Sequence, residues 1–486
     1  MEIKELYRLY QQHPCITTDS RDCPQGSIFI ALKGDNFDGN KFALSALENG
    51  CDYAIVDDKD LFTVYSLQFT DDYTEGGEGL ASKSTVRSAL PLATEGTQEL
   101  KPSTVNKKLI LVDDCLQTFK DLAREHRRQF DIPVIGITGT NGKTTTKELV
   151  AAVLSQKYNV LYTQGNFNND VGVPKTLFRL TNEHEIAVIE MGASHPGDIK
   201  TLAETAEPTC GLITNVGRAH LLGFGSFEGV VKTKCELYDF LRTREDGLVF
   251  LHADDENLVE QISDDDSLWI SPYSTDPEKQ YTCISGEVIA CDPFLKFRWR
   301  EPLMTLEEEG RSTKWHKVQT RLVGSYNIDN LLAAVAVGIN FGVDRKKICA
   351  ALEEYEPSNN RSQMTVTARN HLIVDAYNAN PTSMQAALDN FSLIQADRKM
   401  AILGAMRELG DASAEEHQRI VDRLASTDID EVWLVGEEFA DTRCSYRKFR
   451  DVDEVKAAIG AECPEGRYIL IKGSNSTRLY QLPELL

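Results

Sequence analysis

Residues 133–156 read PVIGITGTNGKTTTKELVAAVLSQ, and the order of features in this stretch decides the fold. VIGIT has the length and composition of a strand, Gly139-Thr-Asn-Gly142-Lys143-Thr144 has the glycines of a tight turn, and the remainder through about Gln156 carries helical apolar spacing. A strand handing over to a helix through a glycine-rich turn is the setting of a phosphate loop. Successive backbone N–H groups and the positive end of the helix attract phosphate oxygens there. Lys143 is placed to neutralise the β- and γ-phosphates, and the Thr144 hydroxyl to sit on Mg²⁺. Gly139, Thr140, Asn141, Gly142, Lys143, Thr144 and Thr145 are therefore the candidate phosphate-binding residues. The spacing departs from the common Gly-x4-Gly-Lys form, because Ile137 stands five residues before Gly142. The competing reading is a plain glycine turn with a surface lysine.

Further apolar runs at Ile186 to Ile189 and Gly211 to Thr214 each lead into polar loops, as expected of a parallel sheet with helices on both faces. Ligands bind such sheets beyond the carboxyl ends of the strands. Glu190 ends IAVIE there, either as a metal-holding acid or as a cap of the next turn. His220, in TNVGRAHL, is a metal ligand or a structural histidine, and Lys234, in KTKCEL, is by default a solvated helix lysine. Asn166, Asn168 and Asn169 in NFNNDVGVP suit a plain loop or hydrogen bonds to a polar substrate. Asn327 to Asn330 (NIDN) opens a helix, so one asparagine is a candidate N-cap. Asp375-Ala-Tyr-Asn-Ala-Asn-Pro381 follows a strand, where an acid accepts ribose hydroxyls, or is an Asx-rich turn.

Around this centre the 486 residues suggest three domains. Residues 1–115 alternate short strands (Ser27 to Leu32, Tyr53 to Val56) with a helix (Lys41 to Glu48), a small α/β unit. It is interrupted at 70–108 by a Thr/Ser/Glu/Gly-rich stretch with too little apolar surface to offset the entropy of ordering it, expected to be a disordered or surface-loop insertion. Residues 116–356 form the central domain, with an antiparallel hairpin layer expected between Phe240 and Gln319. Residues 357–486 alternate strands (His371 to Val374, Met400 to Leu403, Glu431 to Val435, Tyr468 to Ile471) with helices in a Rossmann-like pattern.

Composition narrows the function. Lysine and arginine number 52 against 75 acidic residues, a net charge of −23, which argues against nucleic-acid and acidic-membrane partners. Mean hydropathy is −0.32. The N-terminus lacks a secretory signal pattern and no apolar stretch approaches the roughly 20 residues that span a bilayer, so a cytoplasmic protein is expected. The 11 cysteines are dispersed without Cys-x-x-Cys spacing, as reduced thiols are.

In this order, GTNGKTTT, EMGAS, NVGRAH, KCEL and GSYNIDNLLAA resemble the Mur ligase family of ATP-dependent, ADP-forming amide ligases over nearly the whole chain. NFNNDVGVP, EMGASHPGDI, HLLGFGSFEGVVKTKCELYDFL, DAYNANPTSMQAAL and LGAMRELG resemble the branch that joins D-alanyl-D-alanine to UDP-N-acetylmuramoyl-tripeptide. The resemblance implies a bacterial, cytoplasmic enzyme whose first domain holds the UDP end of the sugar nucleotide, whose central domain binds ATP and whose third domain closes over both; a monomer is expected. It implies one Mg²⁺ on Thr144 and Glu190 and a second on His220 and a carbamylated Lys234, carbamylation turning a cation into an oxygen donor. Lys143, Lys234 and His220 are the implied catalytic residues. Asn330 would contact the adenine region, and Asp375 and Arg361 the ribose and phosphates. TDSRDCPQGSIFIALKG matches the uridine site, making Ser20, Arg21 and Lys33 candidates, and Tyr377, Asn378 and Asn380 join the asparagine loop as substrate contacts. Two features depart from the family: Tyr326 stands where a histidine is common, and the 70–108 insertion has no counterpart. Relatives that add a single amino acid or polyglutamate folate are the near alternatives, and a nucleotide-gated binding module the distant one.

Overall fold

The computed structural model describes residues 1–34, 36–67, 108–219, 221–262, 266–302, 314–357 and 361–486. Residues 70–107 of the expected insertion, and His220, lie outside the described residues. The chain packs as two units, Met1–Gln129 and Phe130–Leu486.

The first unit is built on four parallel strands in the order Ile16–Thr17, Ile28–Ile30, Tyr53–Val56, Leu109–Leu111. Ile28, Ile30, Ala54, Ile55 and Val56 are fully buried, so the central strands read as unbroken apolar runs. The helix Cys115–Arg127 starts on Asp114, whose carboxylate accepts the N–H of Gln117, and packs on Ile3–Gln12 with the Tyr7 hydroxyl 3.1 Å from His126 Nδ1.

The second unit holds a nine-stranded and a six-stranded sheet. The nine strands run His316–Val323, Phe294–Arg300, Ile284–Cys291, Trp269–Ser274, Leu248–His252, Cys210–Ile213, Val134–Thr138, Ile186–Glu190, Val160–Tyr162. The seven strands from Ile284–Cys291 to Val160–Tyr162 are parallel, and Phe294–Arg300 and His316–Val323 join them by antiparallel pairings, the expected hairpin layer. The helix Ile328–Asn340 is apolar nearly all round and runs through this core against the phosphate-loop helix Lys143–Leu154. Their close approach depends on Gly338, where a Cβ would meet Val153 Cγ1 at 2.5 Å. Burying Leu331 and Leu332 completely contributes about 2 kcal/mol each.

The six-stranded sheet runs Gln363–Val366, His371–Asp375, Tyr468–Lys472, Lys399–Gly404, Glu431–Val435, Arg447–Phe449, and only its first pair is antiparallel. Alternate residues of one strand enter two cores: Met400 and Ile402 face one, Ala401 and Leu403 the other. Both faces are covered, which is why the four central strands read as largely apolar runs. The α/β class, with a mostly parallel central sheet and an added antiparallel layer, is the one the strand and helix pattern predicts.

Candidate functional site

The end of Val134–Thr138 places the loop. Gly139 (φ +140°) turns the chain so closely past the next strand that a Cβ would lie 2.0 Å from Thr214 Oγ1. Gly142 (φ +79°) occupies the N-cap of the helix Lys143–Leu154, where a Cβ would lie 2.4 Å from Asn330 Oδ1. Only glycine fits either position. Asn330 is thus packed beneath the loop: its Oδ1 accepts from Thr146 Oγ1 (2.9 Å) and its Nδ2 donates to Asn327 Oδ1 (3.0 Å). The cap role open to an asparagine of NIDN is not realised by Asn327, which occupies the N-cap in helical conformation and donates instead to the Val323 carbonyl at 2.9 Å.

Thr140 and Asn141 are held by the loop Thr214–Gly217. The Thr140 N–H donates to the Asn215 carbonyl (2.9 Å), the Gly217 N–H donates to Thr140 Oγ1 (3.0 Å), and the Asn141 N–H donates to Asn215 Oδ1 (3.0 Å). Thr145 is buried in the first turn of the helix. Lys143 bends back over the turn and donates to the carbonyls of Gly139 (2.8 Å) and Thr140 (3.0 Å). Burial, with the charge of Arg361 adding to it and that of Glu190 opposing it, lowers its pKa to about 8.

Glu190 is 1% exposed at the end of its strand. Its Oε1 accepts from Thr144 Oγ1 (3.1 Å) and from Asn168 Nδ2 (2.7 Å), while Oε2 is buried without a hydrogen-bond partner among the described residues. A capping role is therefore not what the side chain performs. A buried carboxyl oxygen without a hydrogen-bond partner is costly, and a cation is a group that offsets that cost. Together with the Thr144 hydroxyl it forms a hard oxygen pair that suits Mg²⁺. Asn169 serves its own backbone, its Oδ1 accepting from the Gly172 N–H at 2.8 Å, and Asn166 is exposed.

Lys234 is not the solvated lysine that default expectation gives: it is 2% exposed, with its ammonium 5.3 Å from the centre of the Phe224 ring. Burial first, then the charge of Lys143, lower its pKa to about 7. The amine is thus available uncharged near neutrality.

The third sheet supplies a second group. Asp375 Oδ2 is paired with the buried Lys472 at 2.5 Å. Arg361 stacks on Tyr377 with its guanidinium carbon 4.0 Å from the ring centre, its Nε buried without a hydrogen-bond partner among the described residues. Asn378 Oδ1 accepts from the Ala379 N–H (2.9 Å), and Asn380 Nδ2 reaches across to Asn141 Oδ1 (2.7 Å). Where the family commonly has histidine, Tyr326 holds its hydroxyl 2.9 Å from Ser362 Oγ. A cavity of about 550 Å³ opens beside it, lined by Thr275, Ser325, Tyr326, Asp329, Asp389 and Asn390 among others.

In the first unit Arg21 is bonded twice to Asp19 (2.9 and 2.8 Å), Lys33 pairs with Asp57 (2.8 Å), and the Ser20 carbonyl accepts from Asn49 Nδ2 (2.9 Å). The sequence reading passed over Thr214, Asn215 and Lys147. Lys147 is fully buried and donates to the Thr163 carbonyl (2.8 Å), while Thr163 Oγ1 accepts from the Glu190 N–H (3.0 Å). Its signal in the sequence was its place four residues after Lys143, on one face of the helix.

Residues 137–338 match the Mur ligase middle domain, residues 360–475 the Mur ligase glutamate ligase domain, and residues 14–89 the Mur ligase family catalytic domain. The UDP-N-acetylmuramoyl-tripeptide--D-alanyl-D-alanine ligase of Synechocystis sp. is 31% identical over 471 residues, covering 96% of this chain and 90% of its own. A crystal structure of MurF from Acinetobacter baumannii superposes with a TM-score of 0.78 at 27% identity, covering 98% of this chain and 96% of the other. MurF ligase from Thermotoga maritima, solved in complex with ADP, shares the fold at a TM-score of 0.75 and 23% identity, covering 97% and 96%.

Proposed function

The chain belongs to the Mur ligase family, and from that premise we propose that it joins D-alanyl-D-alanine to UDP-N-acetylmuramoyl-tripeptide, converting ATP to ADP and phosphate. The observation that carries this reading is the Thr144–Glu190–Asn168 cluster at the foot of a glycine loop, with Lys143 folded over that loop and Lys234 buried.

The tripeptide's terminal carboxylate attacks the γ-phosphorus of ATP, the bond to the β–γ bridging oxygen breaks, and ADP leaves an acyl phosphate. The amine of the dipeptide attacks the acyl carbon, phosphate departs, and the amine gives up a proton. Both partners of the first step are anions, so lowering their repulsion is most of the catalytic task. The loop N–H groups and Lys143 receive the phosphates, and Arg361 and Asp375 face the nucleotide from the third sheet. A bound Mg²⁺ would rest on Thr144 and Glu190, a second on His220 and carbamylated Lys234, and would supply further charge neutralisation at the phosphate oxygens. Ser20, Arg21 and Lys33 hold the uridine diphosphate end. A monomer acting in the cytoplasm, where ATP and the sugar nucleotide are available, completes the proposal. No described helix is long and apolar enough to cross a membrane.

Phosphate release with UDP-N-acetylmuramoyl-tripeptide and D-alanyl-D-alanine, compared with single amino acids, tests the reading. Turnover with a single amino acid and none with the dipeptide would refute it. Lys143→Ala is expected to lower the rate by on the order of 100-fold or more.

A further inference from the structure

We infer that Asn380 is a positioning residue for the phosphate loop, tying its tip to the first long helix of the third sheet. Asn141 makes four bonds through this tip. Its N–H donates to Asn215 Oδ1 (3.0 Å), and its carbonyl accepts from Thr214 Oγ1 (2.6 Å) and Asn215 Nδ2 (3.2 Å), all from the loop's own sheet. The fourth, from Asn380 Nδ2 to Asn141 Oδ1 at 2.7 Å, comes from the N-cap of the helix Pro381–Leu393, which covers the six-stranded sheet. Asn380 is 4% exposed, and its own Oδ1 accepts from the Ser383 N–H (2.8 Å), capping the helix Pro381–Leu393. Both ends of one buried amide are therefore committed, one to the helix and one to the loop.

The neighbouring contact agrees. Thr382 Oγ1 lies 3.4 Å from where a Cβ on Gly217 would be, so the first turn of this helix rests on the loop that holds Thr140. Gly139 and Gly142 contribute no side chains of their own to hold the turn, and the Asn141 amide is the handle by which a second element fixes it. The phosphate loop and the strand end carrying Asp375 and Tyr377 are thereby set in one register. This inference rests on the ATP-dependent ligase reading for its kinetic consequence only.

The test is a double-mutant cycle on the full-length protein. Asn380→Ser keeps a competent helix cap but is too short to reach Asn141, and Asn141→Ala removes the other end while leaving its main-chain bonds. Each single variant is expected to weaken binding of a non-hydrolysable ATP analogue by about 5- to 10-fold and to raise KM for ATP alike, and the double variant is expected to be no worse than either single one. Thermal midpoints of Asn380→Ser should stay near wild type. If that variant is unstable, Asn141→Ala, which leaves the cap intact, carries the test. Wild-type analogue affinity in the single variants, or penalties that multiply in the double one, overturns the inference. Absence of phosphate release in the wild type would instead count against the ligase reading, and analogue binding would still decide the role of Asn380.

Discussion

Lys234 carries a pH signature that a surface lysine would lack. Its pKa falls from 10.5 in the open chain to about 7 in the folded protein, through burial first and the charge of Lys143 second. Between those values the unfolded chain holds the extra proton, so stability rises as pH climbs from about 7 towards 10.5, and below 7 the buried charge costs its full penalty. Denaturant midpoints of the ligand-free protein are expected to increase across this window, and Lys234→Met to flatten much of the slope. Lys143, lowered to about 8, contributes with the same sign and leaves a residual slope. An uncharged amine is also the form that adds CO₂. Intact-protein mass spectrometry in bicarbonate should show one added CO₂ on the wild type and none on Lys234→Met, with activity falling when CO₂ is stripped.

At the scale of elements, the phosphate-loop helix depends on what lies under its first residue. Gly142→Ala introduces a side chain at φ +79° and drives its Cβ to within 2.4 Å of Asn330 Oδ1, whose bonds to Thr146 and Asn327 hold two helices together. The backbone conformation alone costs about 1 kcal/mol, and the displaced amide adds to it. Urea midpoints should fall, and nucleotide binding should be lost more completely than stability. Asn330→Ala relieves that collision but strands the Thr146 hydroxyl and the Asn327 amide oxygen. It should therefore destabilise the protein by about 1–3 kcal/mol, read by the same titration.

For the whole molecule, ligand linkage is the direct check. A non-hydrolysable ATP analogue at about 100 times its dissociation constant should stabilise the native state by about 2.7 kcal/mol, seen as a rise in Tm that Lys143→Ala abolishes. The net charge of −23 gives the same protein an unfavourable field for polyanions at long range. Binding of a triphosphate then rests on local groups, the loop N–H groups, Lys143 and Arg361, and moderate salt should weaken it far less than it weakens a nucleic-acid complex.

The sequence by itself determined the elements and the family. Strand composition, glycine at two left-handed or crowded positions and helix spacing are local properties, so VIGIT, the turn and the helix through Leu154 stand where the pattern puts them, as do the four main strands of the third sheet. Short edge strands such as Gln363–Val366 and Arg447–Phe449 escaped notice, because an edge strand pairs on one side only and needs little apolar pattern. Which polar groups end up facing one another was decided by the tertiary structure alone. Nothing near Lys234 in the chain announces that it will be buried, nothing in NIDN says that Asn330 will be spent beneath Gly142, and nothing in DAYNANP says that Asn380 will reach Asn141, 239 residues away. Those outcomes depend on strand order and on helix packing across the sheets, through which desolvation and hydrogen-bond geometry act on residues remote in sequence.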